Sequence, residues 1–299
     1  MKQFFIKLSI FLLIIASLDY ATGTIMDRVY AGTEKGDYGR NNYICTGTTA
    51  ECLIFGSSRA IHHYDSKQIG EALGMTCYNC GEDGMGIITM YGRYQMIRQR
   101  YIPKVVIYDV VSGFDLAPDD KSKYIGWLRY YADKNEIAEL IDSVDNTETY
   151  KSLAKSFKYN SRFVDIINQW ISRVPGTVAD YDYSPLEGHI TYHVDPPVEN
   201  KGYKVDAFKL SLFERMIQQC LQDGTQFVFA ISPWYQAVDD TEYQSLISLS
   251  EKYNIPLLNH YKDKDINFNP ELFKDASHLN VAGVELFDAR VCNELKTMI

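Results

Sequence analysis

Short apolar runs, each cut off by glycine or proline and separated by helical stretches, constrain this chain more than any other feature. Cys52-Leu53-Ile54-Phe55 is stopped by Gly56, and Gln226 to Ser232 is stopped by Pro233. Between them lies Val105-Val106-Ile107-Tyr108-Asp109-Val110-Val111, the strongest candidate for a central strand. Short runs that are largely apolar, rather than alternating, suit strands buried on both faces. Met75 to Tyr78 and Ile255 to Leu258 predict two further strands. The segments between are helical in pattern. Asp65 and Ser66 can cap a helix carrying Ile69, Ala72 and Leu73. Ile87 to Tyr101 is closed by Pro103, Phe208 to Leu221 by Gly224, and another helix lies near Glu242 to Tyr253. The last helix carries one stripe of Val281, Val284, Phe287, Val291 and Leu295. Strands alternating with helices predict an α/β fold, a three-layer α/β/α sandwich with a mainly parallel, flavodoxin-like sheet.

From Asp115 to about Lys204 the strand signal disappears. Phe163, Ile166, Ile167, Trp170, Ile171 and Val174 recur there at threes and fours, the spacing of one helix face. The 115–204 stretch is therefore expected to be a helical insertion or lid within a domain spanning 45–299. At the N-terminus, Lys2 and Lys7 precede an apolar run from Leu8 to Leu18, the pattern of an export signal. Ala21-Thr22-Gly23 makes a poor cleavage site, so residues 1–25 are expected to stay as a membrane anchor, with 4–25 in the inner membrane. The alternative is a signal peptide that is removed. Either way the body of the chain leaves the cytoplasm.

The net charge of -9 and the lack of a dense Lys/Arg run argue against a nucleic-acid partner. An exported chain can pair cysteines, and Cys45 with Cys52 is one pairing left open. Cys77-x-x-Cys80 has no second such motif or histidine cluster beside it. It reads as strand packing rather than a metal site, and no metal or organic cofactor is implied.

In parallel sheets, catalytic groups collect at the carboxyl ends of the strands. Three segments sit there. Phe55-Gly56-Ser57-Ser58-Arg59 puts two hydroxyls at a strand-to-helix turn, where a serine and its own N–H can face the same reacting group. Tyr78-Asn79-Cys80-Gly81-Glu82-Asp83-Gly84 offers two glycines for close backbone approach. Asp275 and His278, just before the last helix, are three apart, so one turn can hold the carboxylate against the imidazole. That leaves the other ring nitrogen free to accept a serine proton.

Together the three segments resemble the SGNH hydrolase superfamily, also called GDSL-like hydrolases, over about Leu53 to Asn293. Gly56-Ser57-Ser58 is similar to that family's Gly-Asp-Ser block, with Ser57 in place of the aspartate. Asn79-x-Gly81-x-x-Gly84 resembles its second block, and Asp275-x-x-His278-Leu279-Asn280-x-x-Gly283 its last. The resemblance implies Ser58 as nucleophile, His278 as base, Asp275 as its orienting acid, and the N–H groups of Ser58 and Gly84 as oxyanion donors. One block departs from the pattern. Val111-Ser112-Gly113-Phe114-Asp115 carries Phe114 where the family has an asparagine donor. Ser112 and Asn79 are candidate substitutes.

Gly-Ser-Ser-Arg, Tyr-Asn-x-Gly, the helical insertion and the N-terminal anchor further resemble membrane-anchored SGNH-like proteins of bacterial surface-polysaccharide systems. That likeness implies an esterase or acyltransferase acting on a glycan, with a membrane-bound O-acyltransferase as partner. The alternative is a weak or inactive glycan-binding component of such a complex. Arg59 either orients substrate or pairs with an internal carboxylate. Trp234 and Tyr235, at a strand end, either stack on a sugar or pack in the core. Asn79 joins them as a candidate substrate contact. His62 and His63 are expected at the surface, with His62 the rival base.

Overall fold

All five expected apolar runs form strands of one sheet in the computed structural model, which describes residues 1–174, 176–180, 182–195 and 203–299. The strands are β1 (Cys52–Gly56), β2 (Cys77–Asn79), β3 (Val105–Asp109), β4 (Gln226–Ile231) and β5 (Leu257–Asn259). They run parallel in the order β2-β1-β3-β4-β5. This is the flavodoxin-like order, whose crevice opens beyond the carboxyl ends of β1 and β3.

Every residue of β1 and β3 is buried, which explains their unbroken apolar character. Cys52, Ile54, Val105, Ile107, Val228 and Ala230 share one core with Ile69 and with Val284, Phe287, Val291 and Leu295 of the Val281–Met298 helix. The alternate strand residues meet aromatic rings on the other face. Phe55 packs edge-on against Tyr94 of the Ile87–Arg98 helix. Tyr108 and Phe229 both pack against Phe213 of the Ala207–Asp223 helix. Helices cover both sides of the sheet, so the architecture is the three-layer α/β sandwich. Each large apolar side chain so buried contributes roughly 1.5–3 kcal/mol.

Several boundaries differ from expectation for local reasons. β2 starts at Cys77 because the Met75 N–H still bonds the Gly70 carbonyl, closing the Ser66–Leu73 helix. The β3 ladder ends at Asp109 because the Val111 N–H turns to the Asp115 carboxylate, 2.8 Å away. Val281 is exposed, unlike the rest of its stripe. On the Phe163–Trp170 helix only Ile166 is buried, while Ile167, Trp170 and the following Ile171 and Val174 face outward.

The chain divides into two compact units, Met1–Gly47 with Ile125–Asp180, and Thr48–Tyr124 with Tyr181–Ile299. In the first, the Lys2–Ala31 helix leaves its apolar side chains from Phe4 to Leu18 exposed. By length and composition it can cross a membrane. From Asp19 onward it docks on protein. Asp19 accepts the N–H groups of Lys155 and Ser156, Asp27 accepts the Tyr159 hydroxyl, and Met26 and Tyr30 are buried. The Ala21-Thr22-Gly23 segment lies inside this docked part, where a side chain at Gly23 would run into Lys155.

Among its described residues the 115–204 stretch contains no strand. Positions 175, 181 and 196–202 of it lie outside the described residues. Residues 182–195 run along the sheet unit, where the Ser184 N–H bonds the Ile61 carbonyl and the Ile190 N–H bonds that of Phe273. All six thiols are free, so the Cys45–Cys52 pairing is not formed. Cys77 instead sits in register beside Cys52.

Gly56 ends β1 at φ +144, and a side chain there would run into the Asp109 carbonyl and Ala60. Gly56→Ala is expected to cost about 2–4 kcal/mol. Denaturant unfolding measures this, and an unshifted midpoint would contradict it.

Candidate active site

β1 delivers the chain through Gly56 into the short Ser58–His63 helix. The Ser57 carbonyl accepts the Ala60 N–H, starting that helix. Ser57 itself is fully buried, and its hydroxyl has no partner among the described residues. Ser58 is the hydroxyl left partly open to solvent. As the first helical residue, it has an N–H that no helical carbonyl can reach.

Asp275 and His278 arrive on a tight loop. The loop is closed by a Phe273–Leu279 bridge and by the Lys274 N–H on the His278 carbonyl. Asn280 then caps the last helix by accepting the Gly283 N–H at 3.0 Å, while its amide donates to the carbonyls of Gly188 and Glu271. Asp275 Oδ1 accepts the N–H of Ser277 at 2.9 Å and that of His278 at 3.0 Å. The same carboxylate lies 3.0 Å from His278 Nδ1. His278 Nε2 lies 2.8 Å from Ser58 Oγ. An ionised carboxylate only accepts, so Nδ1 carries the proton and Nε2 turns its lone pair to the Ser58 hydroxyl. Burial alone would raise the Asp275 pKa, but the hydrogen bonds from His278 and the Ser277 N–H hold it at about 2.

The third segment continues from β2 along the end of β1. The Cys80 N–H bonds the Ile54 carbonyl at 2.7 Å, and the Glu82 N–H bonds that of Gly56 at 3.1 Å. A side chain at Gly81 would run into the Ile61 nitrogen and Ala60, which is why this close approach needs glycine. Gly84 follows at φ +68, and its N–H has no partner among the described residues.

Several expected contacts belong to the framework instead. Asn79 is fully buried, and its amide donates to the carbonyls of Ala60 and Tyr64 while its oxygen accepts the Gly81 N–H. Its amide is thus committed to backbone groups rather than turned toward Ser58. Arg59 is equally buried and spends its guanidinium on the Val110 and Ser232 carbonyls and the Tyr243 hydroxyl. Tyr235 packs in the core against Phe273. Trp234 stays partly exposed, with the Arg59 guanidinium 5.5 Å from its ring centre. Phe114 is partly buried under the Lys123 ammonium and offers no side-chain donor. Ser112 is buried, and its carbonyl accepts the Tyr203 hydroxyl at 2.8 Å.

His62 and His63 are not surface residues; they are 9% and 0% exposed. His63 Nε2 accepts the N–H of Leu279, the residue after His278, at 2.9 Å. His62 points its ring nitrogens at the Ser184 carbonyl and at Asp83, so it is not aimed at Ser58 as a rival base. Arg93, fully buried, holds the Cys80 carbonyl and the Glu82 carboxylate. The one sequence hint for these three was polar residues within helical segments whose neighbours are apolar.

No protein-family model matches the chain, and no curated protein matches it. Among solved structures, an acetyl xylan esterase is 13% identical, with 83% of this chain and 99% of that chain covered and a TM-score of 0.40. A GDSL-like lipase from Bacteroides thetaiotaomicron is 10% identical, with 83% and 88% covered and a TM-score of 0.39. Likeness at this level assigns neither an activity nor a site to the chain.

Burial, reinforced by the neighbouring charges of His278 and Arg59, keeps the His63 pKa well below its ordinary 6.5. As pH falls below 6.5 the unfolded chain binds that proton first, so stability is lost in acid, by about 1.4 kcal/mol per pH unit until the folded pKa is reached. His63→Gln keeps an acceptor for Leu279 and is expected to reduce the loss between about pH 7 and about pH 5 by roughly 1–2 kcal/mol. Denaturant unfolding at both pH values measures this. Parallel losses in wild type and variant would mean that His63 is not held neutral.

Proposed function

We propose that this chain is an SGNH-type serine esterase or O-acyltransferase, held outside the cytoplasm by its N-terminal helix, that acts on an ester of a cell-surface glycan. The observation that carries the reading is the line Asp275–His278–Ser58, closed by the 2.8 Å approach of His278 Nε2 to Ser58 Oγ. Ser58 Oγ attacks the acyl carbonyl as His278 Nε2 takes its proton. Asp275 fixes the imidazole tautomer and stabilises the cation that forms. The backbone N–H groups of Ser58 and Gly84 receive the oxyanion of the tetrahedral intermediate. His278 then returns the proton to the leaving alcohol. The acyl-enzyme is opened by water in an esterase, or by a sugar hydroxyl in a transferase. Trp234 is the aromatic face offered to a sugar ring. A membrane-bound O-acyltransferase is the partner that fits an anchored enzyme of this kind.

Phe114 favours a second reading. Loss of one oxyanion donor typically lowers the rate about 10²–10³-fold. A site so weakened suits a glycan-binding component of a membrane acylation complex.

A fluorophosphonate probe separates the two. Wild type is expected to label at Ser58, located by mass spectrometry of the modified peptide, and to hydrolyse an aryl acetate. Ser58→Ala should lose both, and Asp275→Asn should lower kcat about 10³–10⁴-fold. An unlabelled, inactive wild type that still binds glycan would replace the first reading with the second.

A further inference from the structure

The turn that carries Gly84 is held from two sides. On one, Arg93 binds the Glu82 carboxylate at 2.7 Å and the Cys80 carbonyl at 2.9 Å. On the other, His62 reaches across from the helix that begins at Ser58, with Nε2 3.2 Å from Asp83 Oδ1. The other ring nitrogen, Nδ1, lies 2.6 Å from the Ser184 carbonyl. A carbonyl and an ionised carboxylate only accept hydrogen bonds, and a neutral imidazole has one N–H to give. With the Nδ1 proton committed to the Ser184 carbonyl, a neutral ring would turn the Nε2 lone pair toward the Asp83 carboxylate at ion-pair distance; the arrangement suits the imidazolium.

The surroundings support that charge. Burial works against it, but the hydrogen bonds to Asp83 and Ser184 and the charges of Asp83 and Asp275 outweigh burial and raise the pKa above 6.5. Two further imidazoles lie beside it, His278 with its ring centre 5.5 Å away and the adjacent His63.

We infer that His62 is a positioning residue that works as an imidazolium, tying the Gly84 turn and the Ser184 segment to the Ser58 helix, and that loss of its proton sets the alkaline limit of the reaction. This rests on the acyl-transfer reading, in which the Gly84 N–H receives the oxyanion. The two holds differ in kind. A guanidinium keeps its charge throughout the working range, so Arg93 is a permanent tether. His62 is a conditional one. As pH rises through its raised pKa, the ring loses the charge that faces Asp83, and the Gly84 turn loosens. His278 has the opposite requirement, since it must be neutral to accept the Ser58 proton. The alkaline side of the rate is therefore set by His62.

The test measures kcat and KM against pH with an aryl ester, using the full chain as wild type, His62→Gln and Asp83→Asn. Imidazole nitrogen chemical shifts of His62 are recorded alongside. Wild type should lose rate on the alkaline side. His62→Gln should lower kcat about tenfold, a fraction of a full oxyanion donor, with KM within about twofold and no alkaline limb. Asp83 is largely exposed, so Asp83→Asn keeps the fold; it should also lower kcat and bring the His62 titration down by about one pH unit. Below that titration both ring nitrogens of wild-type His62 should carry protons. A singly protonated ring throughout overturns the inference, as does a His62→Gln profile that superimposes on wild type. In either case fluorophosphonate labelling of Ser58 would leave the acyl-transfer reading standing. A wild type that neither labels nor turns over overturns that reading and the inference with it.

Discussion

A guanidinium with almost no solvent contact occupies the residue after Ser58. Arg59 donates to the carbonyls of Val110 and Ser232, the first residues beyond β3 and β4, and to the Tyr243 hydroxyl. Asp109, the last residue of β3, faces it with Oδ2 3.9 Å from Arg59 Nε. That carboxylate accepts the Tyr64 hydroxyl and both the N–H and hydroxyl of Ser232. Three strand ends therefore converge on one buried pair. Removing two ions from water costs several kcal/mol each, and such a pair persists only where the remaining donors and acceptors are filled. Here they nearly all are. With Arg59 so fixed, the helix that starts one residue earlier has little freedom in where it presents the Ser58 hydroxyl.

The imidazole that meets this hydroxyl comes from 220 residues later in the chain. Its arrival is a consequence of the core rather than of the loop alone. The Val281–Met298 helix packs beside the Ser66–Leu73 helix on one face of the sheet. This sets the loop before it over the carboxyl end of β1. His63 then fixes the loop's height by accepting the Leu279 N–H, and Asn280 fixes its exit by capping the helix. The loop's own hydrogen bonds to Asp275 do the last part, turning the ring of His278.

The strands most legible in the sequence were those buried at nearly every position. β1, β3 and β4 declare themselves because, apart from Gln226 at the start of β4 and Asp109 at the end of β3, no side chain in them is polar. β2 and β5 are three residues each, too short to mark their limits against neighbouring caps. The Ser58, Asp275 and His278 grouping was legible because the spacing of each motif carries its own chemical reason. Asn79 misled, and Arg59 and Tyr235 stayed open between two roles that resolve to internal pairing and core packing, because a polar or aromatic residue at a strand end looks the same whether it faces substrate or braces backbone. Which it does depends on carbonyls such as Ala60 and Val110 that no side-chain pattern reveals. His62 and His63 were misplaced for a related reason. What buries them is the 275–279 loop and the segment around Ser184, both more than a hundred residues away. The stripe on the Phe163–Trp170 helix gave the right periodicity but could not say what, if anything, covers it.

Three imidazoles lie within a few ångströms, and the number of acceptors each one faces separates their states. His63 presents its Nε2 to one backbone N–H in a dry site, which requires the neutral ring. His278 faces one carboxylate and one hydroxyl, which suits a neutral ring poised to accept. His62 faces two acceptors, which suits the cation. In the acyl transfer we propose, His278 becomes a cation too, with its ring centre 5.5 Å from that of His62. Two unit charges at that distance repel by roughly 3 kcal/mol at an effective dielectric of about 20. Left alone, that repulsion would oppose the chemistry. Asp275 and Asp83, one carboxylate against each ring, supply the two opposing charges. The cluster is thus charge-balanced when both rings are protonated, the state in which the Ser58 proton rests on His278. The Asp83 pair, remote from the reacting bond, then has an electrostatic reason to exist beyond holding its turn.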